Sequence, residues 1–206
     1  MHLSPNAISL LGIPLALFAA FFLSQGAFLL AAGFIVLLGG CDLLDGTLAK
    51  KKGLATDFGA FLDSTVDRIT ELFLFMGILL FYLREGSFQM AGVSFWVLGG
   101  SFVISYTRAR AENLIENCRV GFWQRSERIV LILLGLLFGH LNTALWILLF
   151  GTTLTALHRI LYTREILQKR TPSLPKLLFW DYPRKSWPYR FCALFVILLT
   201  LLIKLP

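Results

Sequence analysis

Long apolar runs separated by short polar breaks fill most of the 206-residue chain. A helix that crosses the hydrocarbon core of a bilayer needs about 20 apolar residues. The pattern therefore predicts an all-α polytopic membrane protein with six transmembrane helices and a short C-terminal apolar helix. The runs cover residues 7–23, 27–44, 58–83, 90–111, 129–141 and 143–161, and the shorter seventh run covers residues 191–203.

The stretch between the sixth and seventh runs has a different composition. Residues 171–190 interleave proline with tryptophan and tyrosine, a mixture that prevents a long helix and suits the lipid interface. We expect a membrane domain over residues 1–170 and an interfacial tail over residues 171–206. The apolar run in this tail is compatible either with lying at the interface or with a seventh crossing.

Composition and charge agree with a membrane protein. Apolar residues make up 57% of the chain and charged residues 15%, which excludes a disordered chain and a nucleic-acid-binding domain. Sixteen of the 19 Lys and Arg residues fall in the segments 50–52, 108–128 and 159–190. Because each span reverses the side of the membrane, the six predicted spans place all three segments on the same side. The positive-inside rule then places the N-terminus and the basic loops in the cytoplasm.

The first run and the cysteines exclude two other features. Residues 1–23 are not expected to be a cleaved signal, because no Lys or Arg precedes the apolar run and further membrane segments follow. The three cysteines are scattered, so their spacing predicts neither a disulfide framework nor a zinc site.

Two pairs of aspartates have helical spacing. Asp42 and Asp45 are three residues apart, and Asp63 and Asp67 are four apart, so each pair shares one helix face. A short basic turn joins the two helices, which predicts antiparallel neighbours with converging carboxylates. Like charges in a low-dielectric site need compensation, and one or two Mg²⁺, Mn²⁺ or Ca²⁺ ions with hard oxygen ligands would supply it.

Small and basic residues beside the carboxylates indicate a phosphate-bearing substrate. Gly46, Ala49 and Gly59 leave room near the backbone, and three lysines occupy residues 50–52. A carboxylate that does not bind metal would be available to accept a proton from an attacking hydroxyl. Asp57 is expected to cap the third helix.

These residues resemble the signature of the CDP-alcohol phosphotransferase family, D-x-x-D-G-x-x-A-R followed by G-x-x-x-D-x-x-x-D. The chain reads DLLDGTLAK over residues 42–50 and GAFLDSTVD over residues 59–67, and seven of the eight fixed positions match. The departure is Lys50, where the family usually has Arg; lysine keeps the charge but loses the planar fork.

The resemblance implies six transmembrane helices, a homodimer, and transfer of a phosphate-linked group from a CDP-alcohol to a second alcohol with release of CMP. It implies Mg²⁺ or Mn²⁺, with two ions, as cofactor. The implied metal ligands are Asp42, Asp45, Asp63 and Asp67, of which Asp67 is also the implied general base. The residues implied to hold the CDP moiety are Gly46, Ala49, Lys50 and Gly59.

A second cluster, of arginines, flanks the loop after the fourth run. Arg108 and Glu112 are spaced for an internal ion pair, so part of this charge is expected to be paired. As a group the arginines favour an anionic acceptor such as an alcohol phosphate, because Arg binds phosphate through two parallel hydrogen bonds.

The sequence SYTRARAE at residues 105–112, followed by GFWQRSER at residues 121–128, is similar to the phosphatidylinositol-phosphate and archaetidylinositol-phosphate synthase branch. This resemblance implies CDP-diacylglycerol or CDP-archaeol as donor and inositol 1-phosphate as acceptor. The residues implied to hold the acceptor phosphate are Ser105, Arg108, Arg110, Arg125 and Arg128, with Arg159 as a weaker member.

Several alternatives stay open at this point. Within the family, glycerol 3-phosphate as acceptor would give phosphatidylglycerophosphate, and a CDP-inositol donor would serve solute synthesis. Outside it, an intramembrane prenyltransferase needs two separate Asp-rich motifs, whereas this chain has one cluster. A divalent-cation transporter would also use an acidic site within the membrane, but it would not require the cytoplasmic arginines.

Overall fold

The structure, a computed structural model, describes residues 5–51, 56–169 and 186–203, with the side chains of residues 5, 6, 45–51 and 188 excepted. Within these ranges the chain forms seven α-helices and no strand, which confirms the predicted all-α class. The helices are α1 (Pro5–Ser24), α2 (Phe28–Lys51), α3 (Asp57–Arg84), α4 (Phe88–Ala111), α5 (Arg125–Phe138), α6 (Leu141–Leu167) and α7 (Trp187–Leu202).

Tight glycine turns end three of the helices. Gly26, Gly86 and Gly139 follow α1, α3 and α5 with φ of 73°, 72° and 71°, the left-handed region that only glycine enters without strain. In each turn the amide after the glycine donates to a carbonyl five residues earlier, at 2.8–2.9 Å. These bonds satisfy carbonyls that a helix end leaves without partners, and they account for the polar breaks seen in the sequence.

Three of the described helices are long and apolar enough to cross a membrane: they cover Ala7–Ser24, Phe88–Ala111 and Leu141–Leu167. Phe28–Leu44 and Tyr189–Leu202 form shorter apolar helices. The 28-residue α3 carries several charges in its first half. The 14-residue α5 rises only about 21 Å, less than the ~30 Å of a hydrocarbon core. The count of six crossings therefore stays a prediction.

The chain divides into two compact units, residues 1–95 and 96–206, and the boundary falls inside α4. In the first unit, α1 packs against both α2 and α3. One close approach is at Gly77, where an added Cβ would lie 2.6 Å from the carbonyl oxygen and 2.7 Å from the Cα of Ala20. Near the end of both helices, Arg84 Nη1 donates to the carbonyl of Ser24 at 3.0 Å, so α1 and α3 run parallel.

In the second unit, α5 packs against α6 and α7. The C-terminal part of α4 lies against α6: a Cβ on Gly100 would meet Thr152 Oγ1 at 2.7 Å, and Trp96 Nε1 donates to Thr153 Oγ1 at 3.0 Å. As in the first unit, a glycine lies at a contact between two helices, because a larger residue there would collide with the helix opposite.

The contact at Gly77 predicts how an added methyl group changes the stability of the protein. Gly77→Ala places that methyl against the backbone of Ala20, which no rotamer change relieves, and we expect it to lower the free energy of unfolding by about 1–3 kcal/mol. The measurement is unfolding in detergent micelles. Gly33→Ala in α2 is the matched control, because its Cβ meets no atom within 4 Å and should be tolerated. Equal stability of the two variants would contradict the α1–α3 contact.

Candidate active site

Helix α1 brings the carboxylate-bearing ends of α2 and α3 together. A Cβ on Gly12 would lie 3.1 Å from Leu38 Cδ1 of α2, 3.6 Å from Thr70 Cγ2 and 3.7 Å from Val66 Cγ1 of α3. Side chains of both helices thus meet at one point on α1. Because α3 runs parallel to α1 and α2 runs antiparallel, the C-terminal end of α2 and the N-terminal end of α3 lie at the same end of this unit.

The described aspartates occupy that end. Asp42, half-buried, follows Leu38 by one turn of α2. Asp63, exposed, and Asp67, half-buried, are one turn apart on α3, as the spacing predicted. Helices α2 and α3 are antiparallel neighbours in the described residues, as the sequence predicts: the rings of Phe28 and Phe81 meet edge to face, with centroids 4.9 Å apart. Both helices also pack on α1, whose Ala16 and Ala19 are fully buried and let both neighbours approach.

The other residues predicted on α2 fall in its last two turns. They are Asp45, Gly46, Ala49 and Lys50, and what their side chains contact lies outside the described residues. Among the described side chains, no three Asp, Glu, His or Cys groups are close enough together to hold a metal ion. The described donors nevertheless fit Mg²⁺ or Mn²⁺ in kind, because Asp42, Asp63 and Asp67 offer carboxylate oxygens that are half-buried or exposed.

The start of α3 corrects one expectation. Thr56, not Asp57, caps the helix: its backbone is extended and its Oγ1 accepts from the Gly59 amide at 3.0 Å. Asp57 is the first helical residue instead, where its carboxylate is favoured by the helix dipole. Gly59, predicted to line the CDP pocket, is half-buried in this first turn, and its amide is used by the cap.

One acidic residue beside the predicted set was missed. Glu71 lies one turn after Asp67 and is fully buried in α3, so the acidic row extends over residues 63, 67 and 71. The same spacing of four residues was visible in the sequence. Ionisable groups at membrane depth are costly and rarely incidental, which makes Glu71 part of the carboxylate-bearing region rather than a surface residue.

The predicted acceptor-phosphate residues lie in the second unit, at the end of α4 and the start of α5. Arg108 Nε donates to Glu112 Oε1 at 2.9 Å, which confirms the ion pair expected from the spacing. Ser105 Oγ donates to the Ser101 carbonyl at 3.0 Å, and Arg110 is exposed. Arg108 and Arg110 project from the last turn of α4, and Ser105 lies one turn earlier.

Arg125 and Arg128 lie in the first turn of α5. Arg125 is half-buried. Arg128 is 1% exposed, and its Nη1 donates to the carbonyl of Trp123 at 2.9 Å. The guanidinium of Arg128 thus holds the backbone that leads into its own helix.

Arg159 of α6 is buried in the same unit. Its Nε donates to the carbonyl of Val120 at 3.1 Å, and its Nη1 donates to the carbonyl of Ile104. One guanidinium therefore connects α6, α4 and the loop of residues 112–124. From the sequence, Arg159 was expected only to be a weaker member of the phosphate-binding set. Local spacing does not show that its partners are the carbonyls of Val120 and Ile104, which are distant along the chain.

That loop packs closely on α6. Gly121 has φ of 94°, and a Cβ on it would lie 2.5 Å from Thr155 Cγ2. A Cβ on Gly151 of α6 would lie 2.1 Å from Trp123 Nε1. Cys118 is fully buried, and this burial raises the pKa of its thiol. The loop between the arginine-bearing ends of α4 and α5 is thus closely packed on α6.

A helical membrane protein with aspartates on two convergent helix ends is the architecture of a lipid-linked phosphotransferase. The profile of the CDP-alcohol phosphatidyltransferase family matches residues 2–160. The chain belongs to this family, which confirms the resemblance seen in its motifs. It is an integral membrane transferase of phospholipid biosynthesis.

Two curated relatives show which members it is similar to. The chain is 36% identical over 139 residues to the archaetidylinositol phosphate synthase of Methanothermobacter thermautotrophicus, covering 68% of this chain and 69% of that one. It is 33% identical over 177 residues to the phosphatidylinositol phosphate synthase of Streptomyces avermitilis, covering 79% and 72%.

Solved structures of a third relative agree. The phosphatidylinositol phosphate synthase of Mycobacterium tuberculosis with CDP-DAG bound has a TM-score of 0.74 at 28% identity, covering 78% of this chain and 86% of that one. The same synthase in complex with manganese and citrate has a TM-score of 0.71.

The position of Arg159 predicts a specific loss of stability. Arg159→Lys keeps the charge but not the planar fork, so one or both carbonyls lose their donor, at about 1.5–3 kcal/mol for each charged hydrogen bond. We expect a lower thermal midpoint and new protease cleavage within residues 112–124. Arg164→Lys, an exposed position on the same helix, is the control and should leave both unchanged. An intact loop in Arg159→Lys would rule out this role.

Proposed function

We propose that the protein transfers a phosphatidyl or archaetidyl group from a CDP-linked lipid to inositol phosphate and releases CMP. The observation that carries this proposal is the convergence at Gly12, which sets the two halves of the family signature at one end of the first unit. The similarity to archaetidylinositol and phosphatidylinositol phosphate synthases supports the choice of acceptor.

In this proposal the aspartates bind the metal ions, and small and basic residues beside them bind the CDP moiety. Asp42, Asp45, Asp63 and Asp67 hold Mg²⁺ or Mn²⁺, as two ions. The metal supplies positive charge that offsets the negative charge of the diphosphate. Gly46, Ala49, Lys50 and Gly59 hold the CDP moiety.

Asp67 is the proposed general base. Its half-buried carboxylate accepts the proton of the acceptor hydroxyl, and the hydroxyl oxygen forms a bond to the lipid-linked phosphorus. The bond from that phosphorus to the bridging oxygen breaks, and CMP leaves with the electron pair. Thr70 donates its hydroxyl to the backbone carbonyl of Asp67 at 3.1 Å, which helps to hold this turn of α3.

The acceptor phosphate is proposed to bind the arginine cluster with Ser105. Arg110 is exposed and Arg125 half-buried, so both are reachable by a soluble anion. Arg108 is shared with Glu112, and Arg128 is buried against the loop, so these two also contribute by shaping the cluster.

The proposal includes a topology. Six helices cross the membrane, the N-terminus and the active site face the cytoplasm, and the protein is a homodimer. The one-sided distribution of Lys and Arg supports this orientation. Residues 1–170 form the catalytic membrane domain, and residues 171–206 form a tail.

Two family alternatives use the same carboxylates. Glycerol 3-phosphate as acceptor, or CDP-inositol as donor, would leave the roles of Asp42 to Asp67 unchanged. Membership of the transferase family favours an enzyme over the divalent-cation transporter and the prenyltransferase.

The proposal is tested by CMP release. Purified protein with Mg²⁺ and CDP-diacylglycerol or CDP-archaeol is given inositol 1-phosphate, glycerol 3-phosphate, inositol or serine, one at a time. We expect release with inositol 1-phosphate, because the arginine cluster selects a phosphate-bearing alcohol. Release with glycerol 3-phosphate alone would overturn the acceptor and keep the carboxylate mechanism.

Asp67→Asn tests the base. An amide does not take up the hydroxyl proton, so we expect kcat to fall by about 10²–10⁴-fold while the CDP-lipid still binds. Turnover and CDP-lipid binding are measured separately. Asp57→Asn is the matched control, because this exposed residue on the same helix should tolerate the change. Retained turnover in Asp67→Asn would remove it as the base.

A further inference from the structure

Helix α7 lies beyond the part of the chain that matches the family profile, which ends at residue 160. Its first turn is well defined: Ser186 is the N-cap residue, and its side chain accepts from the Tyr189 amide at 3.4 Å. This cap satisfies a free amide in the first turn of α7, the turn that carries Tyr189.

Tyr189 reaches from α7 to the start of α5. Its Oη donates to Glu127 Oε1 at 2.6 Å, and the other oxygen of the same carboxylate accepts from Ser126 Oγ at 3.1 Å. The tyrosine ring also lies against Phe122, with ring centroids 5.2 Å apart. A short hydrogen bond from a hydroxyl to a carboxylate is strong and directional, so it fixes the carboxylate in place.

A cavity of about 200 Å³ lies beside this bond, between α5 and α7. Its apolar walls come from Val130, Leu131 and Leu134 of α5 and from three residues of α7, Ala193, Val196 and Ile197. The two helices are therefore not closely packed along this stretch, and the Tyr189–Glu127 bond joins them at one end of it. At the other end of α7, Thr143 Oγ1 of α6 donates to the carbonyl of the C-cap residue Ile203 at 2.6 Å.

The Tyr189–Glu127 bond acts on the first turn of α5 because of where Glu127 lies. Glu127 is the third residue of α5, between Arg125 and Arg128, in the helix's first turn. The N-cap residue of this helix is glutamine, which is not among the residues favoured there. A contact that fixes Glu127 therefore fixes the turn from which both arginines project.

We propose that Tyr189 is a positioning residue for the acceptor phosphate. It holds Glu127, and with it the first turn of α5, so that Arg125 meets the phosphate of the acceptor in a fixed arrangement while the buried Arg128 holds the loop before it. This inference rests on the proposed function, because it takes these arginines as the acceptor-phosphate residues. It assigns to α7, a segment outside the family profile, a part in substrate recognition.

The test compares two variants that each remove one α7 anchor. Tyr189→Phe deletes the hydroxyl and keeps the ring against Phe122, whereas Thr143→Val deletes the anchor at the opposite end. We expect Tyr189→Phe to raise the KM for the acceptor by about five- to tenfold, with the donor KM and kcat within about twofold of wild type. Thr143→Val should leave both KM values unchanged. Thermal midpoints are recorded for both variants.

A double variant separates positioning from stability. If Tyr189 acts through Glu127, Glu127→Ala raises the acceptor KM, and adding Tyr189→Phe raises it no further. Additive effects, equal effects of Tyr189→Phe and Thr143→Val, or an unchanged acceptor KM in Tyr189→Phe would each overturn the inference.

The wild-type protein in the same assay distinguishes this inference from the proposed function. If wild type does not use inositol 1-phosphate, the proposed acceptor fails, and the variants are compared with the alcohol phosphate that wild type does use. A selective rise in the KM for that acceptor supports the role of Tyr189, and no rise overturns it.

Discussion

The contact on which the first unit depends is the backbone approach of α1 and α3 at Ala20 and Gly77. Since lipid tails are as apolar as the helices, close van der Waals contact rather than burial from water drives such packing. Nearer the start of α1, Gly12 is a second contact point, where side chains of both α2 and α3 pack against it. The relative placement of the two aspartate-bearing helix ends follows from these two glycines. The position of the carboxylates therefore depends on residues that have no functional side chain.

The second unit relies on a different device, the burial of guanidinium groups against backbone carbonyls. A buried loop exposes peptide groups that need partners, and burying them without partners is costly. Arg128 and Arg159 meet part of this need within residues 112–124 and at Ile104. Charge is thus used here to fix a loop, while the neighbouring Arg110 stays exposed.

The helices themselves were predictable, because apolar runs and glycine breaks are local signals. The shared face of Asp63 and Asp67 was predictable as well, since their spacing is helical, although Glu71, which continues this spacing, was missed. The contact points were not: Gly33 and Gly77 look alike in an apolar run, yet one faces open space and the other touches a backbone. Nor was the Tyr189–Glu127 bond, which joins residues 62 apart and has no signature in local spacing.

The α1–α3 contact also has a consequence for the surrounding lipid. Where two helix backbones touch, as they do at Ala20 and Gly77, no gap remains that is wide enough for a hydrocarbon chain. At this depth the seam between these helices is closed to acyl and isoprenoid tails. A lipid substrate whose tails lie at this depth must therefore occupy another side of the first unit.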